Sequence, residues 1–316
     1  MLTINASDLK SLLDYNELCD ALTLSFINPP RQPERHHHNI NVPKDKKGTL
    51  LLMPAWHEGS YLGVKTVTIY PDNSSASPPI PAVIGSYLLM DATTGKQLAL
   101  IDGTELTLRR TASTSALAAK HLANKDAKNL LMVGSGAVAR HLVRAYKSIR
   151  PITNVTVWSR NNANADILAL EIETETKLIA SVTDDLKEAC QNADIISCAT
   201  LSTKPLIRGR WLKPGVHLDL VGAFTPKMQE CDVSAIARSR LFVDTYHGVL
   251  KEGGEVFQAI KAGVISKQNI TGELREVLTQ TVVGRKKPED ITCFKSVGAA
   301  LEDLAAAKLA YEKYIN

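Results

Sequence analysis

The chain has 316 residues, about the length of two ordinary domains. Hydrophobic residues make up 44% and charged residues 22%, a balance that supplies sizeable buried cores and excludes global disorder. The formal net charge is only +4, with no block of like charges, so nothing in the chain asks for nucleic acid as a partner.

In chain order, residues 7–26 carry helical signals: Ser7 or Asp8 can cap, and Leu9, Leu12, Leu13, Leu18, Ala21 and Leu22 recur at helical spacing. A proline-rich break follows at Pro29, Pro30 and Pro33. Short strands are then predicted over 38–42, 49–53, 61–70, 82–91 and 97–101. Gly48, Gly59, Asp72-Asn73 and Thr94-Gly95 punctuate them, and Lys44-Asp45-Lys46-Lys47 reads as a solvated turn. Consecutive strands joined by short turns predict a mostly antiparallel sheet.

The pattern changes near residue 105. Residues 106–122 are Ala-rich and read as one long helix. Strands and helices then alternate: strands over 130–133, 154–158, 177–180, 194–199, 216–221 and 241–243, with helices over 138–149 and 163–174 among them. Such alternation predicts βαβ units and a parallel sheet. Residues 297–314 are helical again and are expected to return to the first domain.

The motif with the most chemistry is Gly134-Ser135-Gly136-Ala137-Val138-Ala139. A lone G-x-G-x-x-A is weak, but an apolar strand leads into this one and a helix leads out. Gly134 allows the tight turn, Gly136 lets backbone N–H groups approach a pyrophosphate, and Ala139 keeps the helix close to the strand. The start of the helix offers unpaired N–H groups and a partial positive charge to the anion. Ser135, Ala137, Val138 and, beyond a later strand, Thr200 complete the expected cofactor contacts. After the second strand of this domain stand Ser159 and Arg160, where NAD-selective domains usually carry an acid. A hydroxyl and a guanidinium suit a 2′-phosphate, so NADPH is the expected cofactor, with NADH as the alternative.

Three cations sit in apolar or small-residue settings: Arg35 ahead of His36-His37-His38, Lys65 inside the strand Leu62–Val67, and Arg110 in Arg110-Thr111-Ala112-Ser113. A charge inside an apolar strand is costly unless it is paired or functional. An arginine fork suits a substrate carboxylate. Adjacent residues of a strand point to opposite faces, so His36 and His38 at most could share an ion; with no carboxylate or cysteine cluster beside them, no metal is expected. The five cysteines are scattered, without a C-x-x-C pair, which fits free thiols in a reducing cytosol and a cytoplasmic location. The N-terminal segment lacks the pattern of a signal peptide, and no run of about 18 apolar residues suggests a membrane span.

Taken together, several segments resemble the ornithine cyclodeaminase/mu-crystallin family over nearly the whole chain. They are Leu50–Ala55, Val64–Val67, Leu106–Ser113, Gly134–Ala139, Gly215–Asp232 and Ser296–Ala305. The resemblance implies a Rossmann-type doubly wound parallel sheet, residues 121–294, inserted into a mostly antiparallel α+β domain made of residues 1–120 and 295–316, and a homodimer formed through the latter. It also implies that Arg35, Lys65 and Arg110 surround the substrate carboxylate and reacting carbon; His37, from the histidine run, is expected to stack or hydrogen-bond near the substrate. Cyclodeaminases of the family carry an acid where this chain has Phe224, in Val221-Gly222-Ala223-Phe224-Thr225-Pro226. Phe224 cannot pair an ammonium. This segment and Arg35-His36-His37-His38 look more like the reductases that convert Δ1-pyrroline-2-carboxylate to L-proline and Δ1-piperideine-2-carboxylate to L-pipecolate. The resemblance leaves as alternatives an ornithine cyclodeaminase, an alanine dehydrogenase, or a mu-crystallin-like binding protein without catalysis.

Overall fold

The computed structural model describes residues 1–316 apart from Lys44, Asp45, Ala76 and Pro79. It divides into two compact units, Met1–Arg110 with Ala300–Asn316, and Thr111–Ala299. The boundaries therefore fall at Arg110 and Ala300, where the sequence had suggested 120 and 295. No helix among the described residues is long and apolar enough to cross a membrane.

The first unit opens with β1 (Leu2–Ile4), α1 (Ala6–Leu12) and α2 (Tyr15–Ile27). The single helix expected over 7–26 is thus two. Asp14 breaks it, because its side chain accepts from the backbone N–H groups of Asn16 and Glu17 and starts α2 afresh. Then come β2 (His36–Val42), β3 (Lys46–Trp56), β4 (Tyr61–Ile69), β5 (Val83–Asp91) and β6 (Gln97–Asp102). The expected turn over 44–47 is half wrong: Lys46 and Lys47 already belong to β3, paired with Val42 and Asn41. Its other half, Lys44 and Asp45, lies outside the described residues. Among the described residues these strands form one six-stranded sheet, ordered β1-β6-β5-β4-β3-β2. All neighbours run antiparallel except β1 and β6.

The helix α3 (Gly103–Leu122) follows, and the division between the units falls within it. The first unit is completed by α11 (Ala300–Ile315), which packs against α2 and against β3, β4 and β5. The sheet is two-faced, as period-2 alternation requires. Leu51, Met53, Ala55, Tyr87 and Leu89 are buried on the α11 side. The opposite side carries a half-buried apolar row, Pro54-Val64-Leu88, continued on β6 by the exposed Leu100.

The second unit contains β7 (Asn129–Val133), α4 (Ala137–Ile149), β8 (Asn154–Trp158), α5 (Asn162–Thr176), β9 (Ile179–Val182), α6 (Leu186–Asn192), β10 (Ile195–Cys198) and β11 (His217–Leu220). It continues with α7 (Val233–Ala237), β12 (Arg240–Val243), α8 (Tyr246–Glu252), α9 (Gly254–Lys261), β13 (Ile270–Glu273), α10 (Leu274–Leu278) and β14 (Thr292–Lys295). Its eight strands are all parallel, in the order β13-β12-β14-β11-β10-β7-β8-β9. From β7 the chain first moves outward through β8 and β9, then returns to place β10 on the other side of β7. That reversal opens a crevice beyond the carboxyl ends of β7 and β10, where doubly wound sheets hold their ligands.

Candidate active site

The glycine segment lies at that reversal, between β7 and α4. Gly134 has φ +114°, and a Cβ there would stand 2.7 Å from the carbonyl oxygen of Ala199. Only glycine allows both the backbone conformation and the approach. Gly136 differs: a Cβ on it would meet no protein atom within 4 Å. Its smallness is therefore not needed to pack the chain, and it leaves the ground before α4 open. Gly136 is also the N-cap of α4 and makes no side-chain cap hydrogen bond, so the first N–H groups of a 13-residue helix face that space uncapped. Ala137 is exposed, Val138 half-buried and Ala139 fully buried against the strand.

Beside it is a cavity of about 230 Å³ whose lining includes Gly134, Ser135, Ser159, Arg160 and Thr200. Ser135 and Ser159 are tied by a hydroxyl–hydroxyl hydrogen bond of 2.9 Å. Arg160 stands exposed at the rim, and Asn161 next to it caps α5. Five of the eight residues expected to bind the cofactor thus share one cavity, while Gly136, Ala137 and Val138 are outside its lining. The crevice suits a dinucleotide: an uncapped helix terminus for the pyrophosphate and an open glycine before it.

In the first unit Lys65 is 2% exposed, on the face of β4 that meets α11. Its Nζ lies 2.8 Å from both carboxylate oxygens of Asp303 and 3.4 Å from Thr107 Oγ1. Arg110 reaches the same acid, Nε to Asp303 Oδ1 at 2.9 Å, and places Nη1 2.5 Å from Glu302 Oε2. Glu302 and Asp303 are both fully buried. Two cations and two carboxylates therefore close a desolvated cluster in which each charge has an opposite partner, the condition under which burial of ions is tolerable. Burial, and after it the positive charge of Arg110, lowers the Lys65 ammonium from 10.5 to about 8, while Asp303 pulls the other way. Arg35 adds a further downward push, so its charge is felt at Lys65 although it stands just ahead of β2. The strand register puts His37 opposite Leu51, on the same face as Lys65. His37 is exposed there.

Of the three cations named from the sequence, Lys65 and Arg110 are therefore brought together at one acid, Asp303. The two acids that organise Lys65 and Arg110 were missed. The signal was a Glu302-Asp303 pair inside the otherwise apolar, Ala-rich stretch 297–307, a place where carboxylates are rare without partners. The rings of His36 and His38 sit edge to face with centroids 6.3 Å apart, and no group of three or more metal-ligating side chains forms among the described residues. Phe224 is 38% exposed, in the segment that follows β11.

The model of the ornithine cyclodeaminase/mu-crystallin family matches residues 4–316. A Δ1-pyrroline-2-carboxylate reductase of Colwellia psychrerythraea is 34% identical, with 99% of both chains covered. The structure of the Δ1-pyrroline-2-carboxylate reductase of Thermococcus litoralis, in complex with NADH and L-proline, superimposes with a TM-score of 0.93 at 35% identity, covering 100% of this chain and 98% of that one. An archaeal alanine dehydrogenase dimer with bound NAD gives 0.91 at 28% identity, covering 100% and 96%. The chain belongs to the ornithine cyclodeaminase/mu-crystallin family.

Proposed function

We propose that this protein is an NAD(P)H-dependent reductase of cyclic ketimine acids, converting Δ1-pyrroline-2-carboxylate to L-proline and Δ1-piperideine-2-carboxylate to L-pipecolate. The observation that carries the reading is the buried Lys65–Asp303–Arg110–Glu302 cluster, in a chain about a third identical to reductases of the first imine. Phe224, standing where cyclodeaminases carry an acid, speaks against ornithine as substrate.

In this reading Arg110 and Arg35 hold the substrate carboxylate. Glu302 and Asp303 fix the plane of the Arg110 guanidinium, so that little side-chain freedom is lost on binding. Lys65 stands at the imine nitrogen. Hydride addition to the imine carbon needs a proton on nitrogen, and an ammonium brought down to about 8 can give one up near neutral pH. Asp303 keeps that ammonium aimed, and His37 is the second candidate donor on the same face. The glycine segment, Ser159, Arg160 and Thr200 hold the dinucleotide, which when bound in its reduced form supplies the hydride. Arg160 and Ser159 favour NADPH, through the extra phosphate they can pair.

A homodimer formed through the outer sheet face is part of the proposal. Pro54, Val64, Leu88 and Leu100 form an apolar row across four strands, continued by Trp56, Leu62 and Met90, where an antiparallel sheet facing water would alternate to polar residues. The alanine dehydrogenase relative is itself a dimer.

The test is to mix purified protein with each imine and each reduced cofactor and to follow cofactor absorbance. Stoichiometric oxidation with formation of L-proline or L-pipecolate is expected. Oxidation only with pyruvate and ammonia would replace this reading with an alanine dehydrogenase. Binding of NADPH without turnover of any imine would replace it with a binding protein.

A further inference from the structure

Behind the cofactor crevice lies a buried acid that no expected contact accounts for. Glu230 is fully buried, in the stretch between β11 and α7. Its Oε1 accepts from the backbone N–H of Thr200 at 2.6 Å and from Thr200 Oγ1 at 2.8 Å. Its Oε2 accepts from the backbone N–H of Gly222 at 2.7 Å. One carboxylate thus joins the segment that follows β10 to the segment that follows β11. The fit is close: a Cβ on Gly222 would lie 2.0 Å from the carbonyl oxygen of Thr200 and 2.5 Å from Glu230 Oε1.

Glu230 is itself held. Its backbone N–H donates to Glu255 Oε1 at 2.8 Å, and Glu255 Oε2 lies 3.1 Å from Lys295 Nζ, with both side chains fully buried. Its carbonyl accepts from the N–H groups of Leu206 and Ile207. On the crevice side, Thr200 lines the cavity, and its Cγ2 would stand 3.2 Å from a Cβ on Gly134. The line of support therefore runs from Lys295 through Glu255 and Glu230 to Thr200, and ends against the glycine turn.

We infer that Glu230 is a positioning residue for the dinucleotide: its carboxylate sets where Thr200 and the backbone after β10 stand against the glycine segment, and so governs cofactor affinity without touching the cofactor. This rests on the dinucleotide reading of the crevice. A carboxylate accepts all three donors, and a hydrogen on Oε2 would point at the Gly222 N–H, which can only donate. An amide has the same difficulty. Glu230→Gln keeps the shape but turns an NH₂ towards either Gly222 or Thr200, so one of the two segments must shift.

The test is a binding titration of NADPH and NADH by fluorescence, with the thermal midpoint of each apo protein measured alongside. Asp219→Asn is the control. Asp219 is an equally buried carboxylate of the same unit, and it accepts from Ser115 and Ser197 rather than from a crevice residue. Glu230→Gln is expected to weaken cofactor binding at least tenfold, and Asp219→Asn to leave it within twofold even where its midpoint falls. Equal binding by Glu230→Gln and wild type overturns the inference, as does an equal loss in both variants. Should Glu230→Gln not fold, hydrogen exchange of the wild-type apo protein decides. The amides of Thr200 and Gly222 are expected to be as protected as those of β10, and exchange at the rate of an open loop overturns the inference. A wild-type protein that binds neither cofactor instead overturns the dinucleotide reading beneath it.

Discussion

Lys65 and Asp303, 238 residues apart in sequence, meet at 2.8 Å, with 2% of the lysine side chain and none of the aspartate side chain exposed. The contact ties the middle of β4 to the first turn of the last helix. It also ties fold to chemistry, because the acid that allows a lysine to be buried in a sheet sets how readily that lysine parts with its proton.

Lys65 gives the first prediction. An ammonium is charged below its pKa, so a step that needs protonated Lys65 slows as pH rises through about 8. The rate constant kcat/KM is expected to fall about tenfold per pH unit above that point. Lys65→Arg keeps its charge throughout and should lose this limb along with most of the turnover, whereas a limb owed to the imine itself would survive the substitution. Stability should move the opposite way. Between about 8 and the ordinary 10.5 the unfolded chain holds a proton that the native chain has released, so this group's contribution rises with pH over that window.

Asp303→Asn is the companion experiment. Asp303 raises the Lys65 pKa, so its neutral replacement should shift the alkaline limb to lower pH. Arg110 also loses a carboxylate partner. Removing one partner of a buried ion pair costs about 3–5 kcal/mol, which calorimetry of the apo variant would register. An unmoved limb would show that Lys65 is not the titrating group.

The two glycines of the dinucleotide turn should separate folding from binding. Gly134→Ala places a side chain at φ +114° against the carbonyl of Ala199, and a left-handed backbone alone costs roughly 1–2 kcal/mol. Its thermal midpoint should fall by several degrees. Gly136→Val meets open space instead, so the apo midpoint should stay near that of wild type while cofactor affinity drops by at least tenfold. Similar losses of midpoint in both variants would contradict the assignment of Gly136 to ligand approach.

The parallel sheet, the glycine turn and the antiparallel character of the first unit were legible because each has a local signature: period, flanking strand and helix, turn residues. The segment from Asp244 to Ala299 was not. Its strands are four residues long, and β14 ends on Lys295, a charge that hides a fully buried strand until Glu255 is seen beside it. The same holds in the site. Lys65 and Arg110 stood out as charges among apolar neighbours, but Glu302, Asp303 and Glu230 act through partners from 8 to 238 residues away, which no local pattern encodes.

Arg160 tests the choice of cofactor. It lies exposed at the rim of the cavity that Ser159 also lines. Should it pair the 2′-phosphate, Arg160→Ala should weaken NADPH roughly ten- to hundredfold, the range of one or two charge-assisted hydrogen bonds, and leave NADH within about twofold. The ratio of the two dissociation constants is the informative number. An equal effect on both would assign Arg160 to solvent and return NADH to the first place.

The outer sheet face makes the last prediction. Leu88 lies mid-row, paired with Val64 on one side and Leu100 on the other. Its side chain is on the face away from α11, since its neighbours Tyr87 and Leu89 are the buried ones. A charge there leaves the inner core alone. Leu88→Glu should therefore keep the far-ultraviolet spectrum while converting a dimer into monomers by light scattering, because two such charges would face each other across a two-fold interface. In an isologous contact one substitution acts twice, so the effect should exceed that of the same change at the exposed Leu24 of α2. A wild-type monomer at micromolar concentration would sink the dimer proposal, and a Leu88→Glu dimer as stable as wild type would move the interface to another surface.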